Sequence, residues 1–310
     1  MLVLASFAAA LVAPMWGQDE LAEAKEAFIK KADELINDHN YESASSAHYK
    51  VKTDDPRLVP DRALELLDSF GAFFESYWSG KIDLRPYDQV GRLYLFYSRY
   101  KYKKLFDDTS QIPEGSVGHY RVMIDIVAAH TDSVGPELPD VLIHEATHQL
   151  IHQRLYGSEA SPSPWISEGM ACYFEHMLRD RSGTFKVSEI GGKSVGIFKE
   201  GPKGGKGLGP ERLRRYAKAL KAGEASSLDE TIKIKDDASF YAGGAEERYA
   251  ASWLLVHFLW HADEGRHAAG FVKYLKREIH EGADPGAFYK EIGMSPQELQ
   301  ASFEAYVKKL

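Results

Sequence analysis

Apolar side chains recur at helical spacing through several stretches of this chain. Between Asp61 and Tyr77 they fall three or four residues apart, which is typical of an amphipathic helix. Comparable patterns predict further helices over residues 19–40, 245–261, 266–281 and 295–309. The second half of the chain is therefore predicted to be helical.

Strand-like patterns are concentrated in the first half. Residues 48–53 alternate between polar and apolar side chains, and residues 92–97 and 120–129 are rich in β-branched and aromatic side chains. A helical turn is expected at 99–106. The first half thus mixes strands with helices, and the whole chain is predicted to be α+β.

One predicted helix is apolar on two sides, which is typical of a buried helix. It runs from Asp140, taken as the N-cap, towards Gly157, taken as the stop. Its residues 144–148 read His-Glu-Ala-Thr-His. Residues four apart lie on one face of a helix, so His144 and His148 can both direct an imidazole nitrogen at one ion. Glu145 lies about a quarter turn away and can reach a water bound to that ion.

A second acidic residue completes this pattern. Glu168 follows His148 after nineteen residues, inside an apolar stretch where Pro164 suits the first position of a helix. A buried carboxylate is costly unless it has a partner, and a metal ion provides one. A catalytic zinc takes three protein ligands and keeps a fourth position open, and it lowers the pKa of its bound water to about 7. The sequence therefore predicts one Zn²⁺ held by His144, His148 and Glu168, with Glu145 as the general base.

Two longer strings carry a resemblance to a known group of enzymes. HEATHQL and WISEGMACYFE, with ERYAASWLLVHFL later in the chain, resemble the gluzincins, the thermolysin-like and aminopeptidase-like metallopeptidases. They look most like a bacterial family of secreted, peptidase-MA-like proteins. The resemblance implies a mixed α/β lobe with a small sheet over 18–158, a helical lobe over 159–310, a zinc cleft between them, and a peptide or protein substrate. It assigns the same three zinc ligands and the same general base.

The chain departs from related patterns at several positions. Metzincins require a glycine and a third histidine where this chain has Ile151 and Arg154, so that variant is excluded. Thermolysin-like enzymes carry an aspartate four residues after the third ligand, and this chain has Cys172 there. A ligand histidine must then be oriented from elsewhere, and Tyr173 and Glu175 are candidates.

The residue that stabilises the oxyanion is less well defined by the sequence. The resemblance implies a tyrosine or histidine from the helical lobe, and Tyr249 is the first choice, with His257 and His261 as alternatives. His152, one turn after His148, is expected to have a core or surface role. Residues 119–129 are the candidate for a sheet edge that pairs with extended substrate, although they could equally form an ordinary core strand.

Composition limits the class of protein further. The chain has 310 residues and a net charge of −8, which argues against a general nucleic-acid binder. The apolar run 2–13 is of signal-peptide length, so residues 1–17 are expected to be a signal and the protein to be secreted or periplasmic, without stable membrane insertion; a buried N-terminal helix is the alternative. Cys172 is the single cysteine and is expected to be buried and inert, with no basic residue near it in sequence.

A glycine- and lysine-rich segment over 186–221 is expected to be a flexible, solvated insertion, or else a basic lip that attracts anionic substrates. The absence of a Gly-x-Met-x-Asn string before His144 favours an endopeptidase over an aminopeptidase. Two other functions stay open: a non-catalytic zinc module that recognises a polymer, and a zinc amidase acting on cell-wall material. A serine hydrolase is disfavoured, because no Gly-x-Ser-x-Gly elbow is present.

Overall fold

Residues 18–37, 41–87, 89–106, 116–132, 137–157, 160–179, 185–190 and 209–310 are described by a computed structural model. Its helices are α1 (Gln18–Ile36), α2 (Pro60–Trp78), α3 (Arg99–Leu105), α4 (Leu138–Leu150), α5 (Pro164–Glu175), α6 (Gly209–Ala222), α7 (Leu228–Lys233), α8 (Asp237–Tyr241), α9 (Ala245–His261), α10 (Ala268–Glu281), α11 (Pro285–Ile292) and α12 (Pro296–Val307). Its strands are β1 (Glu42–Ser45), β2 (Tyr49–Thr53), β3 (Gly91–Phe96), β4 (Gly118–Arg121), β5 (Ile126–His130), β6 (Met177–Arg179) and β7 (Phe185–Ile190). The fold is a mixed α+β arrangement with one small open sheet and a mostly helical remainder.

The chain divides into two compact units. The first contains the described residues up to Phe74 and those of Pro86–Leu150, and the second contains Glu75–Arg85 and the described residues of Ile151–Gly192 and Lys206–Leu310. The first unit holds a five-stranded sheet in the order β1-β2-β3-β5-β4. Strands β2, β3 and β5 run parallel, whereas the two edge strands β1 and β4 are antiparallel to their neighbours.

The sheet of the first unit has a core against α1. Ala32 and Ile36 of α1 are fully buried and pack with Tyr94 and Phe96 of β3 and with Ile126 of β5. Helix α1 supplies these residues from one face of an amphipathic sequence, so its apolar stripe covers the sheet while its polar side stays exposed. The predicted helix over 19–40 is confirmed as far as Ile36.

The predicted strand over 120–129 is wrong as a single element. β4 ends at Arg121, a short 3-10 turn covers Val122–Ile124, and β5 begins at Ile126. Asp125 turns the chain with a left-handed backbone (φ 54°), and its carboxylate accepts hydrogen bonds from Tyr120 Oη at 3.1 Å and Gln149 Nε2 at 3.0 Å. Hydrogen bonds accepted by its carboxylate let an aspartate occupy a left-handed conformation that most residues avoid. Of these two strands, β4 lies at a sheet edge and β5 is internal.

Helices α5 and α9 form the centre of the second unit. Their backbones approach closely at Gly169, where an added Cβ would lie 2.7 Å from the carbonyl oxygen of Ser252. Trp165 of α5 is fully buried, with its ring centroid 5.1 Å from that of Phe288 on α11. Glycine at 169 therefore permits the approach that buries both helices.

One prediction for the second half needs correction. The segment 186–221 is not wholly a flexible insertion: β7 pairs with β6 in a two-stranded sheet, and Gly209–Ala222 is a helix. Residues 191–208 lie outside the described residues, as does the predicted signal at 1–17. In the part of the chain that is described, no helix combines the length and apolar character that a bilayer crossing requires.

Candidate metal centre

The histidine pair lies on α4, in which every residue is buried. The helix begins at Leu138, two positions before the predicted N-cap, so Asp140 belongs to its first turn. A π-helical stretch, Ile151–Tyr156, continues the helix to Gly157, which has a positive φ of 77° and donates its N–H to His152 O at 2.6 Å. The predicted stop at Gly157 is confirmed, and the glycine is suited to the left-handed conformation that ends the helix.

The imidazole rings of His144 and His148 approach each other through their Nε2 atoms. His144 Nε2 and His148 Nε2 lie 3.2 Å apart, and the two side chains are about 1% and 0% exposed. Zinc–nitrogen bonds of about 2.0–2.1 Å at a tetrahedral angle place two ligand nitrogens roughly 3.4 Å apart. The pair therefore already has the separation that chelation of one ion demands.

Glu168 offers a third potential ligand atom. Pro164 occupies the first turn of α5, as predicted, and the Glu168 carboxyl is only 1% exposed. One ligand atom from each of His144, His148 and Glu168 lies within 4.8 Å of the others. These three buried side chains form a group that could hold a metal ion, and two imidazoles with one carboxylate suit zinc or another divalent transition metal.

Tyr241 was not found by sequence reasoning. It ends the short helix α8, and its hydroxyl donates a hydrogen bond to Glu168 Oε1. Burial, and then the negative charge of Glu168, raise the pKa of Tyr241 well above its ordinary value, so the phenol remains a donor. A five-residue helix seventy-three positions from its partner offers no local signal that could have predicted this contact.

Glu145 lies beside the start of the edge strand. It is 2% exposed, and a Cβ added to Gly118 of β4 would fall 3.0 Å from both its Cγ and its Oε1. Ser116, just before β4, donates to Gly118 O at 2.7 Å and contacts Tyr102 Oη at 3.1 Å. The glycine therefore allows the strand to run directly past the carboxylate.

The residues predicted to stabilise an oxyanion are placed as follows. Tyr249 on α9 is 1% exposed, and its ring centroid is 6.0 Å from that of Tyr241. His257 Nδ1 contacts Tyr306 Oη and His261 Nε2 contacts Tyr173 Oη, both at 2.8 Å. Burial, reinforced by His261, lowers the pKa of His257 to about 3, so its ring is neutral. The role of Tyr249 stays a prediction.

Cys172 is buried as expected, but its surroundings are not apolar throughout. Arg212 of α6 places Nη1 3.2 Å from Cys172 Sγ, 2.8 Å from His176 Nε2 and 3.7 Å from Glu175 Oε2. A basic group thus does lie next to this thiol, supplied from forty residues away in sequence. Cys172 and Glu175 also form a second group of possible ligands with His144, their ligand atoms all within 4.8 Å of one another.

Two further residues singled out from the sequence, Tyr173 and His152, lie among packing residues. Tyr173, proposed as a partner for a ligand histidine, bonds instead with His261 and accepts from Tyr77 Oη at 3.4 Å. His152 is 7% exposed within the π-helical stretch, in agreement with a core position.

Comparison with known protein families gives a match over part of the chain. Residues 140–279 match a family described as "Protein of unknown function (DUF1570)", and this span contains the whole candidate metal centre. No curated protein matches the chain. The family description assigns no activity.

Proposed function

We propose that this protein is a zinc-dependent metallopeptidase of the gluzincin type that hydrolyses peptide bonds in extended peptide or protein substrates. The observation that carries the proposal is the convergence of His144 and His148, with Nε2 atoms 3.2 Å apart, on a group that includes the buried Glu168. Glu145 follows the first ligand directly. That donor set and neighbouring carboxylate are suited to metal-assisted hydrolysis.

Each residue has a distinct task in this proposal. His144, His148 and Glu168 hold the zinc, which when bound polarises the substrate carbonyl and acidifies a water. Glu145 takes the proton from the attacking water and delivers it to the leaving nitrogen. Tyr249 donates a hydrogen bond to the developing oxyanion. Tyr241 orients the Glu168 carboxylate through its hydroxyl.

Strand β4 is proposed to bind the substrate backbone. Val117 O accepts from His130 N at 3.0 Å, so the alternate residues 117, 119 and 121 direct their backbone groups at β5. Gly118 lies between the first two of these residues, so its backbone N–H points away from β5, on the side where an extended peptide could add as a further strand, whereas its C=O accepts from Ser116 Oγ. Backbone pairing at that position would bring a peptide bond past Glu145, and it favours internal cleavage over a requirement for a free terminus.

The metal proposal is tested with the purified full-length chain. Elemental analysis is expected to find about one zinc per chain in the wild type and in Glu145→Gln, and a loss of zinc in Glu168→Ala. Cleavage of internally quenched peptides is expected to fall by about 10²–10⁴-fold in Glu145→Gln. Glu65→Gln, which changes an exposed glutamate of α2, is the matched control and should behave as wild type.

The outcomes separate the competing functions. A wild type that holds zinc but cleaves no peptide, with Glu145→Gln indistinguishable from it in polymer binding, would point to a binding module. Cleavage of peptidoglycan fragments alone would point to an amidase.

We also propose that the protein is exported, on the basis of the apolar run 2–13. Amino-terminal sequencing of the mature protein tests this, and an intact residue 1 would contradict it.

A further inference from the structure

The second unit contains a groove whose lining residues are different from those of the candidate metal centre. It has a volume of about 590 Å³, within the range of small-molecule sites, and lies between one side of α6 and the end of α12. Its floor is apolar and is formed by Pro210, Leu213, Ala217, Val307 and Leu310. Leu310 is 47% exposed, so this apolar surface reaches the solvent.

The charged side chains that line the groove are all of one sign. Arg214, Lys221 and Lys308 line it, and none of its described lining residues is acidic, although the whole chain carries a net charge of −8. Lys308 already has Glu304 at 3.7 Å. Arg214 and Lys221 form no ion pair with the described residues, which leaves two uncompensated cations beside an apolar floor.

Helix geometry places these two cations with the apolar residues. Positions 210, 214, 217 and 221 recur at intervals of three or four, so they lie along one side of α6. Lys221 is in the last turn, where it also offsets the helix dipole, but Arg214 is in the middle of the helix and has no such role. The opposite side of α6 packs inward through Tyr216, whose ring centroid is 6.1 Å from that of Phe303.

We propose that this groove binds one free anionic amphiphile, a long-chain carboxylate whose acyl chain lies on the apolar floor and whose carboxylate pairs with Arg214 and Lys221. The guanidinium presents a planar pair of donors that fits a carboxylate. The charge of the lining selects against cationic and neutral head groups. This site is independent of the proposed peptidase activity.

Fluorescence titration with 11-(dansylamino)undecanoic acid tests the proposal, with dodecanoate as the competitor. We expect saturable binding of one probe per chain, displaced by dodecanoate but not by dodecanol or dodecyltrimethylammonium. Arg214→Glu and Lys221→Glu should each weaken binding by about 10- to 100-fold. Ala217→Trp, which fills the floor, should abolish it. Lys218→Glu is the matched control, since Lys218 is exposed on the same helix but does not line the groove.

Circular dichroism establishes that each variant is folded before it is titrated. Equal displacement by dodecanol, or an equal effect of Lys218→Glu, would overturn the proposal, because binding would then be unspecific. Cosedimentation with phosphatidylglycerol vesicles in the absence of any probe binding would assign the surface to a membrane instead. Unaltered binding in folded Ala217→Trp would place the ligand elsewhere.

Discussion

A buried carboxylate on α10 is expected to stabilise the connection between the two helices that carry the candidate metal ligands. Glu278 is fully buried and accepts from Ser163 N at 2.7 Å, from Ser163 Oγ at 3.3 Å and from Tyr156 Oη at 3.1 Å. The hydroxyl of Tyr274 is a further donor. Tyr156 ends the π-helical stretch after α4, and Ser163 is the N-cap of α5. Glu278 therefore fixes both ends of the loop between them.

The loss of stability expected for Glu278→Ala follows from the hydrogen-bond donors that lose their acceptor. Glu278→Ala deprives a backbone N–H and three hydroxyls of their acceptor. The hydroxyls can rotate, but the Ser163 N–H cannot, and an unsatisfied buried donor costs about 1–3 kcal/mol. Because charge-assisted hydrogen bonds are lost as well, the free energy of unfolding of Glu278→Ala should be about 3–5 kcal/mol lower than that of the wild type, and its melting temperature should be roughly 10 °C lower. Glu278→Gln keeps one acceptor and should lose about 1–2 kcal/mol.

The pH dependence has a definite sign. Burial raises the pKa of Glu278 above its ordinary value, although its hydrogen bonds act in the opposite direction. A carboxyl with a raised folded pKa contributes stability that is fully present below its unfolded pKa, about 4.3, and that is lost as pH rises through the folded pKa. Glu278→Gln has no such titration. The stability difference between wild type and Glu278→Gln should therefore be largest in acid and should narrow towards neutral pH.

Thermal melts followed by circular dichroism at a series of pH values measure these differences. Glu281→Gln, at an exposed position of the same helix, is the control and should change the free energy of unfolding by at most about 0.5 kcal/mol. If Glu278→Ala melted within about 2 °C of wild type, a figure well below the expected shift, the assigned role of this carboxylate would be refuted. A difference from Glu278→Gln that widened with rising pH would contradict the direction of the pKa shift.

Three further predictions concern the metal centre. Tyr241→Phe should weaken zinc affinity by about 10–100-fold, measured by competition with a chromophoric chelator, because Glu168 loses the donor that orients it; unchanged affinity would contradict that role. Tyr249→Phe should lower kcat by about 10²–10³-fold while zinc content is retained, and an equal loss of zinc would make it a structural residue instead. Gly118→Ala brings a Cβ within 3.0 Å of the Glu145 side chain, so kcat should fall more than KM rises; full activity would mean that the carboxylate moves aside freely.

Elements with a strong local pattern were predictable from the sequence. The helix predicted over 245–261 matches α9 at both ends, and Pro164 fixes the start of α5. The strand predicted over 120–129 failed because apolar residues lie on both sides of Asp125, whereas the turn depends on that one residue. The left-handed backbone of Asp125 is supported by Tyr120 and Gln149, and the latter comes from a different element.

The site divides in the same way. Helical periodicity places His144 and His148 on one face, and the cost of a buried charge singles out Glu168, so these candidate ligands can be inferred from residue types and spacing. The groups that lie around these residues cannot be inferred in this way. Tyr241 reaches Glu168 from seventy-three residues away, and Arg212 reaches Cys172 from forty. Neither contact leaves a periodic signal, because each depends on how separate helices pack.

The departure at position 172 shows what this means for the chemistry. An aspartate there would bring its own charge to a ligand histidine, whereas Cys172 brings a neutral thiol or, when ionised, a soft thiolate. Arg212 adds a buried positive charge 3.2 Å from that sulfur, and Glu175 adds a carboxylate 3.7 Å from the same guanidinium. The nearest counterpart of that aspartate on the same face of α5 is Glu175, three residues later, which has a ligand atom within 4.8 Å of one from His144 and has Arg212 beside it. We therefore expect the site to depend on Glu175 and Arg212, which the motif does not include, as well as on the three candidate ligands.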